Sequence, residues 1–422
     1  MRERRVRRRF GVPVLIFGLR IISDYLLLYK MRLRGAYMPF IDEIFVMDDI
    51  FSLEERAENK YHIPIPNVSY WDSSPAFQKK MAKALILPEP SLPWNYYYTY
   101  SISAEDRQKV LRSLGVPGNR LAAVMGLLLQ SSTIAIVNII NLLVHHQKKR
   151  LCILQPAYFS VASCCSMFAL DYGTEQISFA QGYPQIPLDR ILAGGYDCIW
   201  ITSPIFCTGY YPDETHIHDI AQLRAAGMTV IFDESLALPG KELIRSFPVD
   251  HKLFAIYNPH KAISINGLKF AVIVCDKRYE DFLEQWVDVF SGALGGSNRD
   301  AVFHYLSPNY LDCCYPAYKQ YIKRAKKTVE RVVGRFPFAF MLPNTEGHYV
   351  SIFTDLNVQG GPPIRNFLEQ TIQASMASFI PSELNGFAPE QGFGFRVNLT
   401  GDTAELEGAI GRILQYFDTL HY

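Results

Sequence analysis

The sequence predicts an α/β fold in which a mainly parallel sheet with helices on both faces is followed by a smaller α+β domain. Three observations predict it. Helix-period and strand-period segments alternate from the residues near 100 to those near 275. Two wholly apolar runs end on a carboxylate and on an amine, Asp233 and Lys261. A long helical stretch over 317–336, with Lys and Arg along one face, separates these elements from a second, shorter set.

The elements follow in order. An acidic helix-like stretch, DDIFSLEERAENK, and a Pro-rich connection ending in LPEPSLPW lead into the large domain. Helices are expected over 104–114 and from Thr133, a strand over 150–154, a helix from Phe159 and a strand over 176–179. Strand 198–202, helix 215–226, strands 228–232 and 253–257 and a strand over 269–275 complete it. After the bridging helix come a strand over 348–353, a helix over 363–376, the strand carrying Arg396 and a last helix over 403–417. The expected division is an N-terminal arm (1–40), a linking segment that contributes to the small domain (41–95), a large domain (96–315) and a small C-terminal domain (316–422).

In an open parallel sheet, ligands sit outside the C-terminal ends of the strands. FDES (232–235) delivers Asp233 to that edge, and the apolar run ending in NPHK delivers Lys261 beside it. An acid and an amine presented together there suggest a cofactor site. QSST (130–133) opens a helix-period segment, and a helix N-terminus with hydroxyls is suited to a phosphate. QPAY (155–158) and FGFRVNLTG (393–401) are the other motifs of this kind.

Taken together, FDES, NPHKAISINGLK, QPAY and FGFRVNLTG resemble the motifs of the fold-type-I enzymes of pyridoxal 5′-phosphate (PLP), in particular the class I/II aminotransferase superfamily, over most of the chain. The resemblance implies that Lys261 carries the cofactor, that Asp233 faces its pyridine nitrogen and that Tyr158, after Pro156, stacks on its ring. It implies that Ser132, Thr133 and Lys269 hold the phosphate, with Lys269 where an arginine is common, and that Arg396 pairs with the substrate α-carboxylate. GGSN, with Ser297 and Asn298, and Tyr97 resemble the elements that reach a partner subunit's site, so a homodimer with shared active sites is implied.

Two departures matter. SPIFCTG (203–209) puts Phe206 where the family has an asparagine on the cofactor's phenolic oxygen, and Leu236 stands where a tyrosine would make the second such bond. In NPHK, His260 is reminiscent of the amino-acid decarboxylases of the same fold, and its role stays open between a packed or cofactor-facing one and proton transfer. The implied function is an aminotransferase-like reaction on an amino acid. The alternatives are a decarboxylase, lyase or cyclase of a specialised amino acid, and an inactive relative; the retention of both Lys261 and Asp233 argues for an enzyme.

Composition limits the other classes. With 49% hydrophobic residues, 422 residues suffice for two substantial cores. A net charge of +1 gives no electrostatic case for nucleic acid. Eight cysteines without a CxxC pair read as reduced core thiols of a cytoplasmic protein. A nicotinamide dehydrogenase would need a GxGxxG after its first strand, and none is present. HIHD (216–219) is the one dense spot of metal-ligating side chains; it falls early in a helix, so His216 and His218 are expected to face solvent and no metal site is expected. RERRVRRR followed by FGVPVLIFGL at the N-terminus is too short in its apolar part to span a bilayer. It reads as an arm over a dimer partner or a start placed before Met31 or Met38, ahead of a basic segment on a membrane surface.

Overall fold

Seven strands form the main sheet: β1 (Val124–Leu129), β2 (Arg150–Gln155), β3 (Asp171–Gln176) and, after a separate two-stranded ribbon of β4 (Ser178–Ala180) and β5 (Tyr183–Gln185), β6 (Cys198–Thr202), β7 (Thr229–Glu234), β8 (Leu253–Tyr257) and β9 (Ala271–Asp276). Their order is β1-β9-β8-β7-β6-β2-β3, parallel from β8 through β3, with β9 antiparallel to both of its neighbours. The computed structural model describes residues 39–81, 104–113, 116, 118–180, 183–267, 269–291, 294, 298, 300, 302, 304, 308–356, 364–388 and 393–420. Nearly all of the expected arm lies outside these residues.

The central strands are apolar on both faces because both faces are covered. Trp200, Ile231, Phe254 and Ile256 pack on one side against Ile136, Ile139 and Ile140 of the helix Ser132–His145. Ile199, Ile201, Val230, Phe232 and Ala255 form the core of the other side with Ile220 and Leu223 of the helix Glu214–Ala225. Strands 198–202 and 253–257 lie where the sequence puts them. The strand expected over 176–179 is displaced: β3 occupies Asp171–Gln176, and residues 178–180 belong to the small ribbon. β3 is an edge strand, DYGTEQ, whose polar side chains carry no apolar alternation; its place is fixed by pairing to β2.

A second sheet, β10 (Ala339–Met341), β11 (Tyr349–Thr354) and β12 (Gly394–Asn398), is antiparallel throughout. Val350, Ile352, Phe395 and Val397 point to one face and pack against Tyr318 and Val329 of the helix Pro308–Val333 and Ile410 and Phe417 of the helix Thr403–Asp418. The alternation leaves Tyr349, Ser351 and Arg396 on the opposite face, toward the main sheet.

The HIHD segment corrects one expectation. His218 is exposed, but His216 is buried, because it is the third residue of a capping box rather than a surface side chain. Asp213 accepts hydrogen bonds from the backbone N–H groups of Thr215 and His216, at 3.0 and 3.2 Å, and His216 Nδ1 lies 2.6 Å from its carboxylate. Asp213→Ala is expected to lower stability by about 1–2 kcal/mol, read as a lower urea midpoint at unchanged slope. No helix among the described residues is long and apolar enough to cross a membrane, and no three or more His, Cys, Asp or Glu side chains there are grouped as a metal ion would need. Cys152, Cys164, Cys165, Cys198, Cys207 and Cys275 are buried free thiols, and Cys314 is buried as well.

Candidate active site

A cavity of about 340 Å³ lies where the chain leaves the C-terminal ends of β1, β2 and β8. Ser131, Ser132 and Thr133 border it after β1, Tyr158 after β2, and Asn258 and Lys261 after β8; Lys269, Asn266 and Trp71 complete its wall. The sheet edge therefore gathers Ser132, Thr133, Tyr158 and Lys261, all singled out in the sequence, from three separate segments of the chain.

Lys261 sits on a single helical turn, Pro259–Ala262, whose start is fixed twice over. Proline at the first helical position has no N–H to leave unpaired, and the Asn258 side chain accepts the backbone N–H of Lys261 at 3.0 Å. The amide of Asn258 also donates to the Phe270 carbonyl, tying the turn to the entry of β9. His348 Nδ1 lies 3.1 Å from Ala262 O at the other end. Burial lowers the pKa of the Lys261 amine, and Arg396 adds to this, while Asp233 and Cys207 pull the other way. His260, on the same turn, faces away: it is fully buried with its ring 4.7 Å from that of Phe270, and burial lowers its pKa to about 3, so it stays neutral.

Asp233 is the next-to-last residue of β7, opposite Thr202 of β6 and Ile256 of β8, and its carboxylate accepts the N–H of Ser235 at 3.1 Å. The next residue, Glu234, points into the core, where it accepts the N–H groups of Leu243 and Ile244. Burial raises its pKa from 4.5 to about 8. Between those values the folded chain keeps a proton that the unfolded chain has released, so stability contributed by this group is present at low pH and is lost as pH rises through the window. Wild type is therefore expected to lose stability relative to Glu234→Gln between pH 5 and pH 8, each taken as a rough bound, in urea titrations at stepped pH.

Arg396 comes to the site from the small sheet, paired with Ser351. It is 3% exposed and has no carboxylate partner among the described residues. Its Nε donates to Ser69 O at 3.0 Å and its Nη1 lies 3.5 Å from Asn385 Oδ1, but Nη2 is buried without a partner. Arg396 does not border the cavity. The Trp71 ring, which does, covers it at 4.4 Å from Cζ and lies 5.3 Å from Lys261 Nζ. Tyr349 packs edge-on to Trp71 at 5.0 Å and lies 5.5 Å from the guanidinium, and its hydroxyl is also buried without a partner.

Phe206, Leu236, Cys207 and Tyr349 form one buried apolar cluster, with Trp71 and Tyr158 packed against it. Both positions at which the sequence lacks a polar donor thus belong to a single apolar wall. The loop that carries Phe206 is held close to β11: Gly209 has a φ of +72°, and a Cβ there would come within 2.5 Å of Glu346 O. Ser132, buried at the first turn of its helix, keeps an unpaired Oγ. Thr133 and Lys269 are exposed at the rim. Asn298 is exposed and does not border the cavity, and Tyr97 and Ser297 lie outside the described residues.

Sequence reading missed Trp71, Asn258, Asn266, Tyr349 and Cys207. Asn before Pro at 258–259 is a helix-start signal that could have identified the cap. Trp71 carries no such signal, because what places it is a strap distant in sequence from everything it touches.

No protein-family model and no curated protein sequence matches the chain. Solved structures do. An aminotransferase from Mycobacterium tuberculosis superposes with a TM-score of 0.70 at 15% identity, over 92% of this chain and 98% of that one. N-succinyldiaminopimelate aminotransferase from the same organism gives 0.67 at 16%, over 91% and 98%. An Escherichia coli protein with a methionine aminotransferase function gives 0.67 at 13%, over 87% and 96%. With its seven-stranded sheet, its small antiparallel C-terminal sheet and this coverage, the chain has the fold of the fold-type-I aminotransferases.

Proposed function

We propose that the chain is a PLP-dependent enzyme that acts on an α-amino acid through Lys261, with an aminotransferase-like reaction. The observation that carries the proposal is a single aromatic wall, Trp71, that touches both an amine of lowered pKa and a buried guanidinium with an unpaired nitrogen, beside the start of a 14-residue helix. The residues present fit the cofactor. Ser132 offers an unpaired buried hydroxyl where helix N–H groups favour an anion, with Thr133 and Lys269 at the same cavity. Asp233 supplies a carboxylate whose charge is felt at Lys261, and Tyr158 a ring on the cavity wall.

When bound, the cofactor supplies an electron sink for charge developing at the amino acid's Cα. Lys261, favoured in its neutral form by burial, takes the proton from Cα and gives it up at a carbon other than Cα, as an aminotransferase-like reaction requires. Arg396 holds the α-carboxylate through Nη2, once the Trp71 ring has moved off the guanidinium. Phe206 and Leu236 offer no hydrogen bond near the ring and keep water out. Ser297, Asn298 and Tyr97 serve the partner's site in a homodimer, and the division into arm (1–40), linking segment (41–95), large domain (96–315) and small domain (316–422) belongs to the same reading.

Decarboxylation, elimination or ring closure at this site is the second reading, raised by NPHK. His260 packs on Phe270 and does not border the cavity, which favours the aminotransferase-like reaction. The test is the visible spectrum of the purified protein with added PLP, followed by amino acids. A yellow species whose band shifts on adding an amino acid, with release of a keto acid, supports the proposal. Release of carbon dioxide or a cyclic product favours the second reading, and failure to bind PLP rejects both.

A further inference from the structure

Arg396 raises a physical problem that points to the kind of substrate. Its one unpaired nitrogen is buried, and the Trp71 indole, which borders the cavity as Arg396 does not, lies over the guanidinium and makes two cation contacts and an edge contact to Tyr349. A carboxylate that comes to the guanidinium from the cavity meets the indole first and has to displace it. The displaced ring then gives up aromatic and cationic partners and must find new ones or stand in water. What surrounds it is apolar: Phe206, Leu236 and Tyr349. The charges felt at Tyr349 include that of Asp72, which is negative, and the cations bordering the cavity among the described residues are Lys261 and Lys269. Both of those are assigned above to the amine and phosphate ends.

We infer that the substrate is a neutral α-amino acid with a bulky apolar side chain, aromatic rings included, and that Trp71 is the residue that selects it. The inference rests on the function proposed above and names the substrate class of that site. An apolar side chain gives the displaced indole a replacement partner and buries apolar area against Phe206 and Leu236. A second carboxylate, as in an acidic amino acid, would lose its water against that wall with no cation to receive it and with Asp72 nearby. Asn266 donates to the Trp71 carbonyl at 2.7 Å, so the backbone stays fixed and the movement is one of side-chain rotation.

The experiment uses unreactive carboxylates in the presence of added PLP, so that Lys261 and Lys269 are engaged and neither is free to receive the second carboxylate of succinate. Propanoate, 3-phenylpropanoate and succinate are titrated calorimetrically into the full chain, with tryptophan emission followed in parallel. The phenyl compound is expected to bind at least ~10-fold more tightly than propanoate, with succinate no tighter than propanoate. Emission should change with the phenyl compound in wild type and not in Trp71→Phe. In Trp71→Ala the advantage of the phenyl compound should fall to less than ~3-fold. Succinate binding as tightly as the phenyl compound, an advantage that survives in Trp71→Ala, or no binding of either ligand overturns the inference. If Trp71→Ala does not fold, the wild-type selectivity and the emission of Trp71→Phe still decide. Failure of the two readings is distinguishable. PLP binding with preference for succinate removes the inference alone, whereas preference for the phenyl compound without PLP binding removes the enzyme reading and leaves the aromatic selector.

Discussion

Lys261→Ala is expected to lose turnover by at least ~10³-fold, because in the proposed function one side chain serves as both attachment point and general base. The same change should leave the fold intact. The turn Pro259–Ala262 is held by contacts of the backbone, namely the Asn258 cap on the Lys261 N–H and the His348 ring at Ala262 O, and none of these involves the lysine side chain. The amine itself opposes folding: its lowered pKa means that the folded chain binds its proton less well than the unfolded chain, so removing it takes away a cost that is largest below the folded pKa and fades as pH rises to the unfolded one. The variant should therefore unfold at a temperature no lower than wild type by circular dichroism. It should also take up PLP without becoming covalently labelled on borohydride reduction, in contrast to wild type. Residual activity within ten-fold of wild type, on the order expected for a residue outside the chemistry, would sink the assignment.

The second large effect is expected at Arg396. In the proposed function, replacing it with leucine removes a group that meets the substrate carboxylate equally in ground and transition states, so KM should rise by ~10²-fold or more with kcat changed far less. Stability has two opposing contributions. Loss of Nε leaves the Ser69 carbonyl without that donor, at about 1–3 kcal/mol, while a buried cation with no carboxylate partner is itself costly and its removal offsets part of this. Arg396→Lys retains the charge without the planar fork and should fall between the two. Steady-state kinetics on the variants decide the matter. A fall in kcat with KM unchanged would mean that Arg396 does not anchor the substrate.

The legible parts of this fold are those that the chain writes locally. Strands β7 and β8 are short apolar runs with nothing else they could become, and their C-terminal ends fix where Asp233 and Lys261 emerge. β1 was not legible: VMGLLL is apolar without alternation and runs straight into the helix that follows, and only its pairing to β9 makes it a strand. The site shows the same division. Asp233, Lys261 and Ser132 come from strand ends, whereas Trp71, Tyr349 and Cys207 meet through packing between segments more than a hundred residues apart. Arg396 was readable as a cation in an apolar strand, but nothing local indicated that an indole would lie across it.

The irregular segment from Asn67 to Ser74 has neither helix nor extended strand, yet nearly every residue in it is sewn to something else. Val68 O accepts the N–H of Asn398 at 2.7 Å, Ser69 Oγ accepts that of Ile380 at 2.8 Å, and Tyr70 O accepts the Asn398 amide at 2.7 Å. Trp71 O is held by Asn266, the Ser73 hydroxyl lies 2.7 Å from that of Ser264, and Ser74 N–H donates to Thr400 O at 3.0 Å. Loops ordinarily absorb insertions and protease nicks because their backbone answers only to water. This one answers to both the small sheet and the lysine turn, so its length is as constrained as that of a core strand. Lengthening it by a residue would slide every later partner out of register, and engineered tags or permuted termini belong elsewhere on the molecule.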